Sequence, residues 1–223
     1  VIQPPLPDRA YAAFLFDMDG TILTSIIAAE RVWSAWARSH GLDVEAFLPT
    51  IHGKRTEDTI RNLGLPGVDP VLEARRITLA EVEDVAGIEA IAGVAAFLDS
   101  LPPQRWAIVT SAPRALAEAR IAAAGLPLPA VLVAAEDVAR GKPAPDPFLL
   151  GAEKLGMRPQ DCLVFEDTLA GLQAAQAAGM DSIVVTATHH QPLDTSATDV
   201  PDYDELRAVQ TAEGLLRLRR ANA

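Results

Sequence analysis

Phe14-Leu15-Phe16-Asp17-Met18-Asp19-Gly20-Thr21 is the stretch on which the fold turns. An apolar run passes straight into two carboxylates spaced two apart and then a glycine. Short apolar runs that end in polar residues predict strands buried on both faces. On a strand, positions two apart face the same side, so Asp17 and Asp19 are expected to converge at its carboxyl end. That edge is where open α/β sheets bind ligands. Gly20 lets the backbone turn away without a Cβ penalty. Two close carboxylates repel unless something positive lies between them, which invites a hard divalent cation such as Mg²⁺ with oxygen ligands. Asp and Gly also make ordinary polar turns after strands, so the motif alone leaves both readings open.

Working outward, residues 106–109, 131–133, 163–165 and 183–185 are similar runs. Between them lie alanine-rich stretches, 114–124, 148–155 and 169–178, closed by Gly125, Gly156 and Gly179 where a helix would end. Strand alternating with helix predicts an α/β fold with a doubly wound parallel sheet. Residues 25–92 break that rhythm and read as helices only. Ile26, Ala29, Trp33 and Trp36 recur at helical steps, and Gly41 closes that helix. Thr56 with Glu57 and Asp58 predicts a second helix start, and 71–85 a third helix. The expected organisation is a core of 1–24 and 93–223 interrupted by a helical domain over 25–92. The basic segment 217–220 reads as a solvated helical face.

Composition narrows the function. The 223 residues are 49% hydrophobic, which excludes general disorder. With 19 Lys+Arg against 30 Asp+Glu, a net charge of −11 opposes nucleic-acid backbones and anionic lipid surfaces as partners. Residues 1–8, with three prolines and no basic-then-apolar pattern, read as an unstructured lead-in rather than a signal peptide. The longest apolar tract, 121–135, falls short of the roughly 20 residues that span a bilayer. One cysteine, Cys162, allows no intrachain disulfide, and a cytoplasmic protein is expected. It should be a monomer or small homo-oligomer.

Three further strand ends carry polar chemistry. Thr110 and Ser111 offer hydroxyls and adjacent N–H groups suited to a phosphate oxygen, although both are also common helix caps. Gly141-Lys142-Pro143-Ala144-Pro145-Asp146-Pro147 confines one lysine in a loop stiffened by three prolines. Glu166-Asp167 puts a second acidic pair at the lip of the same sheet, able to complete a metal site or to cap the helix that Thr168 opens.

Taken together, Asp17-x-Asp19-Gly20-Thr21, Thr110-Ser111, Gly141-Lys142-Pro143 and Glu166-Asp167 resemble the four ordered motifs of the haloacid dehalogenase superfamily. The resemblance runs from Phe14 to about Val185 and includes the helical insertion, a cap over a Rossmann-like core. Residues 51–55, 136–147 and 166–180 are similar to the branch of sugar-phosphate and glycerol-phosphate phosphatases. It implies a small phosphorylated metabolite as substrate and Mg²⁺ as cofactor. Asp17 would then be the nucleophile forming an aspartyl-phosphate, and Asp19 the general acid and base. Mg²⁺ would be held by Asp17, the main-chain carbonyl of Asp19 and Asp167, with Glu166 nearby. Thr110, the N–H of Ser111 and Lys142 would bind phosphoryl oxygens. In the cap, His52, Lys54 and Arg55 are the expected substrate contacts, since that branch carries a similar stretch there.

Other residues read as structural. Trp33 and Trp36 suit the cap's core, Cys162 a buried apolar site, and Gly171 a close packing contact. Adjacent histidines such as His189 and His190 rarely chelate one metal. A β-phosphoglucomutase-like mutase is the nearest alternative; against it, Ala28, Ala29 and Glu30 stand where those mutases carry a histidine. A non-catalytic phosphometabolite-binding protein is the alternative from another class, and the intact acid set argues against it.

Overall fold

In the computed structural model, residues 5–51, 53–189, 191, 193 and 195–221 are described. The chain opens with β1 (Ala10–Tyr11) and β2 (Ala13–Phe16), then β3 (Leu23–Thr24). Four helices follow: α1 (Ile26–Ser39), α2 (Val44–Phe47), α3 (Thr56–Leu63) and α4 (Pro70–Glu83). After β4 (Glu89–Ala90) and α5 (Val94–Asp99), strand and helix alternate: β5 (Trp106–Val109), α6 (Arg114–Ala123), β6 (Leu132–Val133), α7 (Asp146–Leu155), β7 (Cys162–Glu166), α8 (Leu169–Ala177) and β8 (Asp181–Val185). The chain ends in β9 (Thr198–Val200), β10 (Leu206–Gln210) and β11 (Leu216–Arg220).

The main sheet is parallel throughout, in the order β6-β5-β2-β7-β8-β9. Strand alternation sorts its side chains into two different layers. One face carries Phe14, Phe16, Trp106, Ile108, Leu163 and Phe165 against Phe97 of α5 and Tyr203. Phe16 and Phe165 stack at 4.7 Å between ring centroids. The other face carries Ala13, Leu15, Ala107, Val109, Cys162 and Val164 against Phe148 and Ala152 of α7 and Ala174 and Ala175 of α8. Bulk on one side and small residues on the other let α7 and α8 lie close beneath the strands while aromatic rings fill the wider gap above. Because β2, β5 and β7 are adjacent, their carboxyl ends deliver Asp17, Thr110 and Glu166 to one place.

The helices α1–α4 surround a core of their own, built from Trp33, Trp36, Phe47, Ile60 and Ile77. Asp69 caps α4, accepting from the N–H groups of Val71 at 2.9 Å and Leu72 at 3.2 Å. The purely helical reading of 25–92 meets one exception: β4 pairs antiparallel with β3, Leu23 opposite Ala90 and Thr24 opposite Glu89. This two-residue ribbon draws the two connections of the cap together. Among the described residues no helix is long and apolar enough to cross a membrane.

The helical expectation for 217–220 is overturned. Leu216–Arg220 is a strand, paired antiparallel with β10 on one side and β1 on the other. Its sequence, Leu-Arg-Leu-Arg-Arg, has a period of two: Leu216 and Leu218 are buried against the aromatic face, while Arg219 faces solvent. The charged residues hid that alternation. Leu218→Ala should lower unfolding free energy in a urea titration by about 2–5 kcal/mol, as large-to-small core changes do. Arg219→Ala should stay within about 0.5 kcal/mol, like other surface changes. Equal effects at the two positions would contradict the strand assignment.

Candidate active site

Asp17 lies one step past β2, its N–H donating to the carbonyl of Phe165 at 2.9 Å. Lys142 reaches it from the loop before α7. The ammonium donates to Asp17 Oδ1, to Glu166 Oε1 at 2.8 Å and to the Val109 carbonyl at 3.1 Å, and sits 5.0 Å from the centre of the Phe148 ring. Burial pulls the lysine's pKa down, but Asp17 and Glu166 outweigh it and hold the ammonium above its usual value. For Asp17 burial wins: it pushes the carboxyl from 3.8 up to about 7, with Lys142 opposing and Glu166 adding to the rise.

Glu166 is saturated with donors. Beyond Lys142, its Oε2 accepts from the N–H of Asp167 at 2.8 Å, the N–H of Thr168 at 2.6 Å and the Thr168 hydroxyl at 2.9 Å. That packing needs the glycine one helical turn on, since a Cβ on Gly171 would lie 1.6 Å from Glu166 Oε1. Asp167 faces Asp17 across the Thr21 hydroxyl, which is 3.2 Å from Asp167 Oδ1 and 3.4 Å from Asp17 Oδ2. Burial, then the charges of Glu166 and Asp17, raises the Asp167 pKa. Gly20, at φ +87°, leaves room for this carboxylate: a Cβ there would come within 2.0 Å of Asp167 Oδ2.

Asp17, Glu166 and Asp167 bring carboxylate oxygens within 4.8 Å of one another. Lys142 is one positive charge among three largely buried carboxyl groups, and the raised pKa values of Asp17 and Asp167 show that it does not offset them all. A hard divalent cation with oxygen ligands fits that donor set. Since Glu166 already serves four donors, Asp17 and Asp167 are the carboxylates with capacity to spare. Glu166 also anchors Lys142 and the Asp167 backbone.

The carboxylate of Asp19 is directed elsewhere. Its Oδ1 accepts from Ser25 Oγ at 2.5 Å and from the Arg120 guanidinium at 2.8 Å. Arg120, on α6, also donates to Glu81 of α4 at 2.9 Å. Burial pushes Glu81 up to about 7 in spite of Arg120. Asp17 and Asp19 line one cavity, although both lie past the end of β2, together with Thr110, Ser111, Lys54, Trp33, Ile51, Glu81 and Arg120. Its volume is about 70 Å³, far below the roughly 300–1,000 Å³ of ordinary small-molecule sites. The cap is drawn down over this cavity by the contacts of Arg120 with Glu81 and of Ser111 with Gly53.

The remaining expected residues divide. Thr110 is buried at the end of β5 with its hydroxyl accepting from the Ala112 N–H at 3.0 Å. Ser111 donates its hydroxyl to the Gly53 carbonyl at 3.2 Å, joining core to cap. Lys54 reaches the cavity. Arg55 lies outside its lining: the guanidinium donates to the carbonyls of Val138 at 2.8 Å and Ala139 at 3.3 Å, tying the start of α3 to the core. His52 and His190 fall outside the described residues. His189 Nε2 lies 2.7 Å from the Asp167 carbonyl, bracing the acidic loop. Trp33 and Trp36 are buried in the cap, as expected, and so is Cys162 in the core.

Sequence reading missed Ser25, Glu81 and Arg120. A signal was present. Arg120 falls on the same stripe of α6 as Leu116, Ala117 and Ile121, and Glu81 follows Ile77 at the helical step on the buried side of α4. A charge on an apolar stripe is a local inconsistency that marks a buried partner.

Comparison with known proteins agrees with this geometry. The family described as haloacid dehalogenase-like hydrolase matches residues 11–179. Hexitol phosphatase A of Escherichia coli is 46% identical over 183 residues, covering 80% of this chain and 85% of the relative. Fructose-1-phosphate phosphatase YqaB of the same organism is 37% identical over 195 residues, covering 78% and 96%. Among solved structures, CbbY from Rhodobacter sphaeroides in complex with phosphate superposes with a TM-score of 0.72 at 25% identity, over 87% of this chain and 96% of that one. β-Phosphoglucomutase from Clostridium difficile, at 22% identity and a TM-score of 0.76 over 88% and 93%, shares the fold. With the match spanning every strand end that builds the acidic site, this chain belongs to the haloacid dehalogenase-like hydrolase family.

Proposed function

We propose that the protein is a Mg²⁺-dependent phosphomonoesterase that hydrolyses a small phosphorylated sugar or polyol through an aspartyl-phosphate on Asp17. The observation that carries this reading is the Lys142 clamp on Asp17 inside an acidic set with spare negative charge. The relatives that are hexitol and fructose-1-phosphate phosphatases support the substrate class. A cytoplasmic place of action belongs to the same proposal, supported by the single buried thiol of Cys162.

The chemistry follows from charge. An anionic nucleophile must approach an anionic phosphate, so the site has to supply positive charge first. Mg²⁺, when bound by Asp17, Asp167 and the main-chain carbonyl of Asp19, supplies it by screening carboxylate from phosphate. Lys142, Thr110 and the Ser111 N–H surround the phosphoryl oxygens, whose charge needs stabilising as the bond breaks. The bond from Asp17 oxygen to phosphorus forms as the bond to the leaving oxygen breaks, and Asp19 gives that oxygen a proton. Asp19 then takes a proton from water, which attacks phosphorus, releases orthophosphate and restores the Asp17 carboxylate. Water must stay out during the first step, and the shut cap over a small cavity excludes it. Lys54, Trp33 and Ile51 present the cap's surface to the leaving group.

Two experiments test this reading. With Mg²⁺, a panel of sugar phosphates, glycerol phosphates and nucleotides should show phosphate release greatest from sugar or polyol esters. Asp17→Asn should abolish release, a loss of about a thousandfold or more, as expected when a nucleophile is removed; activity retained in that variant would sink the proposal. In thermal melts of chelator-treated protein, Mg²⁺ should raise the Tm of the native sequence by mass action. Asp167→Asn should lose that rise, and a full rise in the variant would remove Asp167 from the metal site.

A further inference from the structure

The chain Ser25–Asp19–Arg120–Glu81 runs from the hinge, through the active-site loop and core helix α6, into cap helix α4. Building on the reading of Asp19 as the general acid, we propose that Arg120 is its positioning residue and that Glu81 makes this positioning conditional on a shut cap.

Three observations carry the proposal. The first is how Asp19 is held. Ser25 and Arg120 both donate to Oδ1, and no donor approaches Oδ2 among the described residues. Two donors on one oxygen fix the carboxylate's rotation and leave the second oxygen free for proton exchange with a leaving group. A general acid needs that free oxygen within hydrogen-bond reach of the atom it protonates.

The second is where Arg120 sits. Its side chain is 7% exposed, on the apolar stripe of α6, and its Nε has no partner among the described residues. Burying a guanidinium is costly, and an apolar side chain of similar size would fill the same space without an unpaired donor. Stability does not account for the arginine. Its planar fork does: one nitrogen meets Asp19 and the other meets Glu81, a bridge that a single point charge cannot make in the same geometry.

The third is which bodies the fork connects. Arg120 and Asp19 belong to the core, while Glu81, 4% exposed, belongs to the cap. Helices α4 and α6 pack together in this shut arrangement. When the cap lifts, α4 carries Glu81 away, and Arg120 is free to turn both nitrogens onto Asp19 and cover the oxygen that should exchange the proton. Shutting the cap restores the one-nitrogen contact. Cap closure thus arms the acid only when the site is sealed from water.

The test separates positioning from structural support by the demand of the leaving group. Phenyl phosphate and p-nitrophenyl phosphate are close in size, but phenolate needs a proton to leave far more than p-nitrophenolate does. The quantity to compare is kcat/KM, which runs only to release of the first product and is blind to the later attack by water. Arg120→Met should lower kcat/KM for phenyl phosphate at least about tenfold more than for p-nitrophenyl phosphate, a fraction of the roughly 10²–10⁴ that a positioned acid contributes. Arg120→Lys should recover part of that difference, and Asp19→Asn should show the same selectivity in larger measure. Equal losses on both esters in Arg120→Met, with Asp19→Asn still selective, would overturn the positioning role alone. Equal losses in Asp19→Asn would overturn the acid role of Asp19, and the proposal with it. Should Arg120→Met fail to fold, Glu81→Gln carries the test: a smaller loss of the same selectivity supports the proposal, and no selectivity overturns it.

Discussion

Everything at the edge of this sheet depends on one ammonium group held between two carboxylates. Lys142 binds Asp17, Glu166 and the carbonyl at the end of β5, so it ties together the three central strands at the point where each ends. A lysine buried this deeply loses its hydration, and only the pair of acids keeps it charged. The acids in turn repel each other and Asp167, and the lysine, with the Thr21 hydroxyl and the N–H groups of Asp167 and Thr168, holds them together. The balance still leaves negative charge over, which makes the site a receptor for a cation and, through it, for phosphate. A chain with a net charge of −11 can bind an anion because this compensation is local.

The rest of the fold serves that edge. Aromatic bulk on one face of the sheet and alanine on the other fix the strand spacing and bring α7 and α8 close beneath. The loop before α7 places Lys142, and the first turn of α8 places Gly171, whose missing side chain is the space Glu166 occupies. Above the edge, the cap hangs on the β3–β4 ribbon and is fastened by Ser111 to Gly53, Arg55 to the Val138 and Ala139 carbonyls, and Arg120 to Glu81. Ser111, Gly53, Arg120 and Glu81 line the small cavity, and Arg55 lies outside it. Apolar contact adds to these ties, since Ala28 of α1 and Val82 of α4 pack with the core cluster that holds Leu116.

Much of this was legible in the sequence because each signal was local. Phe14 to Thr21 announces a buried strand and its acidic end within eight residues, and the proline-confined Lys142 and the Glu166–Asp167 pair do the same. What escaped reading depends on contacts between distant segments. Arg120 and Asp19 are 101 residues apart and Arg120 and Glu81 are 39 apart, so neither pairing leaves a local pattern. Arg55 was expected at the substrate because the resembling branch carries a similar stretch there; its hydrogen bonds to the Val138 and Ala139 carbonyls, 83 and 84 residues away, leave no local pattern. At 216–220 the arginines mask the period of two and read as a solvated helix, and only the pairing with β10 and β1 decides the strand. Glu166 was read as a metal neighbour, and its saturation by donors could not be inferred without knowing where the next two N–H groups point.

The central claim is that Asp17 becomes covalently phosphorylated during turnover, and one measurement reaches it directly. Protein quenched in acid during hydrolysis of a sugar phosphate with Mg²⁺ is reduced with borohydride, which converts an aspartyl-phosphate to homoserine, and then mapped by peptide mass spectrometry. The account predicts conversion at position 17 alone, dependent on substrate. Conversion at Asp19 or Asp167 instead, or none while phosphate is being released, would contradict it.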